Sequence, residues 1–151
     1  MSKLKIGDKA PDFATIDQNE QTVSLKDLSG KRIILYFYPQ DNTPTCTVEA
    51  CNFRDNYELL TNKGYVVLGV SADSLKKHQN FANKFNLPFS LLLDADKDII
   101  NKYGVWQQKT TFGKTYMGIV RTTFVIDEKG KIENIINKVK SKIHTQQILE
   151  A

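Results

Sequence analysis

The sequence predicts an α/β fold, a three-layer α/β/α sandwich around a central mixed sheet. Three observations carry this. Apolar runs alternate with amphipathic stretches, two of the runs are apolar at nearly every residue, and the chain nears its end in two β-rich segments joined by a tight turn. A length of 151 residues, 40% apolar and 25% charged, suits one domain over residues 1–151 with a single core.

In chain order, Lys5 to Gln21 carries turn signals at GDKAP and DQNEQ and leads into a short TVSL. LKDLSG reads as a helical turn that Gly30 closes. RIILYFYP, Arg32 to Pro39, is a nearly continuous apolar run, the mark of a strand buried on both faces, and Pro39 ends it. After QDNTPTC, Thr47 to Asn62 reads as helical, with Val48, Phe53, Tyr57 and Leu60 as its apolar stripe. YVVLGVSAD is a second buried strand. LKKHQNFANKFN is an amphipathic helix with Leu75, His78, Phe81 and Phe85 along one side. FSLLLD gives a third strand, and DKDIINKYG a helix that Gly104 stops. RTTFVID and KIENIIN flank a turn at Asp127 to Lys131, a hairpin expected to add antiparallel edges to a parallel core. A helix from Lys142 to Glu150 closes the chain. The order, βαβα and then ββα, matches the thioredoxin-like layout.

Several function classes are excluded by composition. The longest apolar run, Ile33 to Tyr38, has six residues, against the ~18–20 that a membrane span needs. The N-terminus lacks the apolar stretch of a secretory signal, so no membrane association and a cytoplasmic location are expected. The net charge is +4, from 21 basic and 17 acidic residues, and only Arg32, Arg54 and Arg121 are arginines. Lysines scattered over the whole length read as a solvated surface and not as a nucleic-acid groove. Two cysteines are too few for a disulfide scaffold; in a reducing compartment such a pair is catalytic or buried. His78 and His144 have no partners at metal-ligand spacing, so neither a metal nor another cofactor is expected, and His78 reads as a packed side chain. Trp106, Phe81, Phe85, Phe89 and Tyr103 read as core, Asp94 and Asp96 as turn residues.

The chemistry concentrates in Pro39-Gln40-Asp41-Asn42-Thr43-Pro44-Thr45-Cys46-Thr47-Val48-Glu49-Ala50-Cys51, between a buried strand and a helix. Ligands bind at such junctions in open α/β sheets. Thr43 suits the N-cap and Pro44 the first helical position, which makes Cys46 the third. There the free backbone amides and the positive helix end favour a thiolate. A thiol of ordinary pKa, about 8.5, is only about 3% ionised at neutral pH, and raising that to about 90% takes about 3 kcal/mol. A helix end supplies at most ~2 kcal/mol, so a cation or further hydrogen bonds must help. The alternative is a buried, inert cysteine; the polar PQDNTPTC setting argues against it, and Cys46 is expected to stand open to small molecules.

Cys51 lies five residues further on. On an ideal helix that separates the two Cα atoms by about 8.6 Å, more than the ~7 Å a disulfide tolerates. The two cysteines therefore bond only if the first turns unwind. Such a bond has the profile of a labile redox disulfide.

Pro39, Thr43 and Cys46 form P-x3-T-x2-C, which resembles the active-site signature of the peroxiredoxins. Cys51, with Glu49 before it, is similar to the Q-type subfamily, also called bacterioferritin comigratory protein. KAPDF, VVLGVSAD, LPFSLLLD, YGVW, GKTYMGIVR and TFVIDEKGKI extend the likeness over essentially the whole chain. Thr45 departs from the Gly common in relatives. The resemblance implies a thioredoxin-like fold and a thiol peroxidase that needs no cofactor. Cys46 would be the peroxidatic nucleophile, becoming a sulfenic acid. Thr43 would bond the peroxide, Arg121 would favour the thiolate and polarise the bound oxygen, and Pro39 would shield the pocket. Cys51 would resolve the sulfenate as a Cys46–Cys51 disulfide that thioredoxin or a similar dithiol reduces, in a monomer or weak homodimer. Glu49 reads either as a solvated helix-start carboxylate or as a residue that tunes Cys46. Two other readings compete. A disulfide oxidoreductase wants C-x-x-C, and a redox sensor or chaperone would need one oxidation event and no turnover.

Overall fold

The computed structural model describes residues 4–150. Its centre is a five-stranded sheet formed by β3 (Arg32–Phe37), β4 (Tyr65–Ser71), β5 (Ser90–Leu93), β8 (Thr122–Ile126) and β9 (Ile132–Ile136), in the order β5-β4-β3-β8-β9. β3, β4 and β5 run parallel, while β8 and β9 are antiparallel additions. The sheet is therefore mixed, as predicted. The closing hairpin does more than add edges: β8 pairs with β3 near the middle of the sheet, with Leu35 opposite Phe124, and β9 alone of the two is an edge. All five β8 residues are buried, which an apolar strand needs and an edge position would not provide.

Alternation along β3 divides the core in two. Ile33, Leu35 and Phe37 point to one face, where α4 (Asp98–Lys102), Tyr103 and the N-terminal segment cover them. Ile34, Tyr36 and Tyr38 point to the other, beneath α1 (Pro44–Asp55), α2 (Tyr57–Asn62), α3 (Leu75–Phe85) and α5 (His144–Leu149). α3 starts where Ser74 accepts a hydrogen bond from the Lys77 amide and ends at Asn86 in the left-handed conformation. Asp94 caps α4 by accepting from the amides of Ile99 and Ile100, the turn role expected of it.

Some expectations change. The helix read from Thr47 to Asn62 starts at Pro44 and breaks at Asn56, whose side chain donates to the Asn52 carbonyl and competes with the helical ladder. The closing helix is a short 3-10 turn, Ser141–Ile143, followed by α5. Two further hairpins carry no clear signal in the sequence: β1 (Ala14–Ile16) with β2 (Thr22–Ser24), and β6 (Trp106–Thr111) with β7 (Lys114–Ile119). The second turns through Phe112 and Gly113, both at positive φ; that geometry is normally announced by Asn-Gly, and a bulky Phe hides it. No helix among the described residues is long and apolar enough to cross a membrane.

Gly69 sits opposite Tyr36 on the neighbouring strand, and an added Cβ would lie 2.9 Å from the tyrosine ring and hydroxyl. Gly69→Ala is expected to destabilise the protein by about 1–3 kcal/mol through overpacking. A denaturant midpoint equal to that of wild type would show that the Tyr36 ring yields without cost.

Candidate active site

β3 ends at Phe37, and after Tyr38 the half-buried Pro39 lies at a bend. The chain then turns through Asn42, at φ +59°, into α1. Thr43 occupies the N-cap in extended conformation, Pro44 the first helical position and Cys46 the third, as the sequence predicts. The Thr43 hydroxyl, however, donates to the Gln40 carbonyl at 3.0 Å and does not cap the helix. The first intrahelical bond runs from the Thr47 amide to the Thr43 carbonyl. The amides of Thr45 and Cys46 thus have no acceptor within the helix and leave the positive helix end beside the sulfur.

α1 turns Cys46, Glu49, Ala50 and Phe53 toward the sheet, a single stripe at i, i+3, i+4 and i+7. This corrects three readings. Val48 is 38% exposed and does not belong to the apolar stripe. Glu49 is no solvated carboxylate, being 0% exposed. Cys46 does not stand open to small molecules: it is 2% exposed and packs in the cluster that holds Tyr36, Tyr38 and Phe53. The reason is common to all three, because the face that carries Phe53 into the core necessarily carries positions 46, 49 and 50 with it.

Arg121 reaches this face from the segment between β7 and β8. Its Nη1 donates to Glu49 Oε1 at 2.6 Å and its Nη2 to Cys46 Sγ at 3.2 Å. One guanidinium therefore links the buried carboxylate to the sulfur, and it supplies the cation that the helix end alone could not replace. Burial pulls the Arg121 pKa down, but Glu49 and Cys46 beside it more than reverse this. Burial pushes the Glu49 carboxyl up to about 7 against the opposing pull of Arg121.

His144, to which the sequence attached no role, lies under Glu49. Its Nδ1 faces Gln147 Oε1 at 2.8 Å, and the Gln147 amide nitrogen donates to the Lys138 carbonyl. Nδ1 therefore carries the hydrogen, and Nε2 accepts from the Thr123 hydroxyl at 2.7 Å. The ring is neutral, in keeping with a pKa that burial lowers to about 4. Glu49 Oε2, 3.7 Å from His144 Nε2, has no hydrogen-bond partner among the described residues. No spacing in the sequence could signal this pairing, because α5 meets α1 only in the folded chain.

The structure thus brings Cys46, Arg121 and Glu49 together. Thr43, half-buried, makes no hydrogen bond to the sulfur among the described residues, and Pro39 sits at the head of the loop. Cys51 is half-buried on the same unbroken helix, and both thiols are free.

A family model described as the AhpC/TSA family matches residues 6–135. Peroxiredoxin Bcp of Bacillus subtilis is 47% identical over 147 residues, 97% of this chain and 94% of that one. The chain belongs to the AhpC/TSA family, among peroxiredoxins of the Bcp type. Solved structures of such peroxiredoxins agree. A cysteine-to-serine mutant of Xylella fastidiosa PrxQ has a TM-score of 0.92 at 30% identity, covering 99% of this chain and 96% of its own. A Xanthomonas campestris bacterioferritin comigratory protein, described by its alkyl peroxide reduction activity, has a TM-score of 0.88 at 30% identity over the same shares. In this AhpC/TSA-family chain the thioredoxin-like layout read from the sequence is therefore the fold.

Glu49 gives the protein a pH signature. The folded chain keeps the Glu49 proton up to about 7, whereas an unfolded glutamate releases it near 4.5, so raising the pH between those values favours unfolding. Wild type is expected to lose stability relative to Glu49→Gln across that window, by up to about 3 kcal/mol. Denaturant unfolding at both ends of the window checks this, and a pH-independent difference between the two proteins would contradict it.

Proposed function

We propose that this chain is a thiol peroxidase in which Cys46 is the peroxidatic cysteine, Cys51 resolves it, and Arg121, Thr43 and Pro39 complete the site. The observation that carries the reading is the Arg121 guanidinium bonded at once to Cys46 Sγ and to a buried Glu49. A cation 3.2 Å from the sulfur favours the thiolate and is placed to polarise an oxygen bound beside it.

The chemistry needs no group beyond the side chains. The Cys46 thiolate attacks the terminal oxygen of a hydroperoxide, and the O–O bond breaks with its electron pair on the departing oxygen. That oxygen takes a proton and leaves as water or an alcohol, while Cys46 becomes a sulfenic acid. Glu49, with its pKa near 7, is suited to hold a proton close by and tunes the site through Arg121. Thr43, whose own hydroxyl hydrogen is directed at Gln40, offers its oxygen lone pair to the peroxide O–H. The Cys51 thiol then attacks the sulfenic sulfur, water leaves, and the Cys46–Cys51 disulfide forms once α1 unwinds. A thioredoxin-like dithiol reduces that disulfide and is itself oxidised. The proposed setting is the cytoplasm, with the protein a monomer or weak homodimer.

Because Cys46 is buried, the rate of its reaction is the decisive measurement. One equivalent of hydrogen peroxide added to reduced protein is expected to give the Cys46–Cys51 disulfide in wild type. In Cys51→Ser a dimedone-trapped sulfenic acid on Cys46 is expected, and in Cys46→Ser no peroxide consumption. A wild-type Cys46 that reacts no faster than free cysteine would overturn the reading. Arg121→Ala is expected to slow alkylation of Cys46 at neutral pH by about tenfold, in line with about 1.4 kcal/mol of lost thiolate stabilisation. An unchanged pH profile of alkylation would remove Arg121 from that role.

A further inference from the structure

The loop that presents Cys46 carries a second buried network, separate from Arg121 and Glu49. Asp41, between β3 and α1, and His78, on α3, are both buried, and no hydrogen bond joins either of them to Cys46. The hydroxyl of Tyr38, the residue after β3, donates to Asp41 Oδ1 at 2.5 Å. His78 Nδ1 lies 2.5 Å from Asp41 Oδ2. The Asp41 amide donates to Asp73 Oδ2 at 2.8 Å, and the Ser71 hydroxyl at the end of β4 donates to the same oxygen at 2.7 Å. His78 Nε2 is 2.9 Å from the Leu92 carbonyl of β5.

A carbonyl can only accept, so Nε2 carries a hydrogen, and one proton is left between His78 Nδ1 and Asp41 Oδ2. The pair is neutral overall wherever that proton sits. Other ionisable groups near it are Tyr38 just after β3, Asp73 from the segment after β4, and two lysines of α3. Lys77 Nζ lies 4.0 Å from Asp73 Oδ1, and Lys84 Nζ donates to Asn42 Oδ1 at 3.4 Å. The ligand-type atoms of Asp41, Asp73 and His78 lie within 4.8 Å of one another, but each residue is already engaged with its neighbours. The cluster is built as a tie.

Its position gives the tie a role. Asn52, next to Cys51, donates through Nδ2 to the Lys142 carbonyl at 2.9 Å and accepts the Thr145 amide through Oδ1 at 2.8 Å. Residues 42–51, which include both cysteines, are thus bracketed by Asp41 and Asn52, each bonded to other elements of the fold.

We propose that Asp41, seated by His78, is a positioning residue that holds the Cys46 loop folded and sets the N-terminal limit of the unwinding that brings Cys46 to Cys51. This rests on the thiol-peroxidase reading above. Releasing Asp41 acts on the two chemical steps with opposite sign. Cys46 spends less time against Arg121, so attack on peroxide slows, while the loosened turn reaches Cys51 sooner, so disulfide formation quickens. General damage to the protein would lower both rates.

The test compares full-length wild type, Asp41→Ala and Asp41→Asn by hydrogen exchange of the reduced proteins and by the two rates in rapid mixing. In Asp41→Ala, exchange of the amides in residues 47–51 is expected to rise about tenfold or more, the scale of a lost hydrogen bond to a charged group. The β3 and β4 amides should stay protected, peroxide attack should slow and disulfide formation should speed up. Asp41→Asn separates charge from shape. Its Oδ1 still accepts from Tyr38, but the charge that faces His78 Nδ1 is gone, so its exchange and its two rates should lie between those of wild type and Asp41→Ala. Unchanged exchange in either variant, or two rates that fall together, would overturn the proposal. Should Asp41→Ala fail to fold, Asp41→Asn decides in its place. A wild-type protein without Cys46-dependent peroxide consumption would sink the peroxidase reading, while the exchange data would still judge the tie.

Discussion

The guanidinium of Arg121, suspended between Glu49 and Cys46, is the interaction on which the rest of the site depends. A glutamate with no exposed surface costs several kcal/mol to ionise unless it is paired, and Arg121 is its charged partner. Glu49 in turn fixes the guanidinium so that the remaining nitrogen meets the sulfur. The helix end contributes through free amides but is worth at most ~2 kcal/mol; the cation makes up the difference. The arrangement also constrains the fold. Arg121 reaches α1 because β8 lies next to β3, and β8 lies there because all five of its residues are buried.

Burial of Cys46 follows from the same geometry and changes how the site must operate. A sulfur on the core face of α1 is kept from bulk solvent, and in the proposed mechanism both the peroxide and Cys51 reach it only through motion. The helix that carries it is poorly anchored by apolar packing at its start, where Pro44 and Thr45 are exposed, and better anchored at Phe53. Polar ties at Asp41 and Asn52 stand at either end of the part that must move. Stability is thus distributed unevenly along one short helix, as the proposed unwinding requires.

The buried polar residues near the site fall into two networks of different character. Around Asp41 and His78 the bonds are complementary and the pair is neutral, which suits a fixed anchor. Around Glu49 one oxygen is left without a partner among the described residues, His144 is held neutral, and burial pushes the carboxyl up to about 7. An unsatisfied buried oxygen is costly, and in the proposed mechanism a carboxyl poised near neutral pH holds a proton close to the sulfur.

Local pattern made much of this legible. The apolar runs fixed β3, β4 and β5, the stripe of His78 and Phe81 gave α3, and Thr43-Pro44 located the start of α1 and hence Cys46 at its third position. Phe112-Gly113 carries no familiar turn signal and so hides the hairpin of β6 and β7, and apolar character points to Val48, not Glu49, as a core residue. What the sequence by itself determined was therefore which segments are strands and helices, and which cysteine sits at a helix mouth; these depend on neighbours a few residues apart. Only the tertiary structure decided that Glu49 is buried, that His144 lies beneath it, and that Asp41 is tied to His78. Those pairings join residues far apart in the chain, and the burial that makes each of them matter exists only once the helices have closed over the sheet.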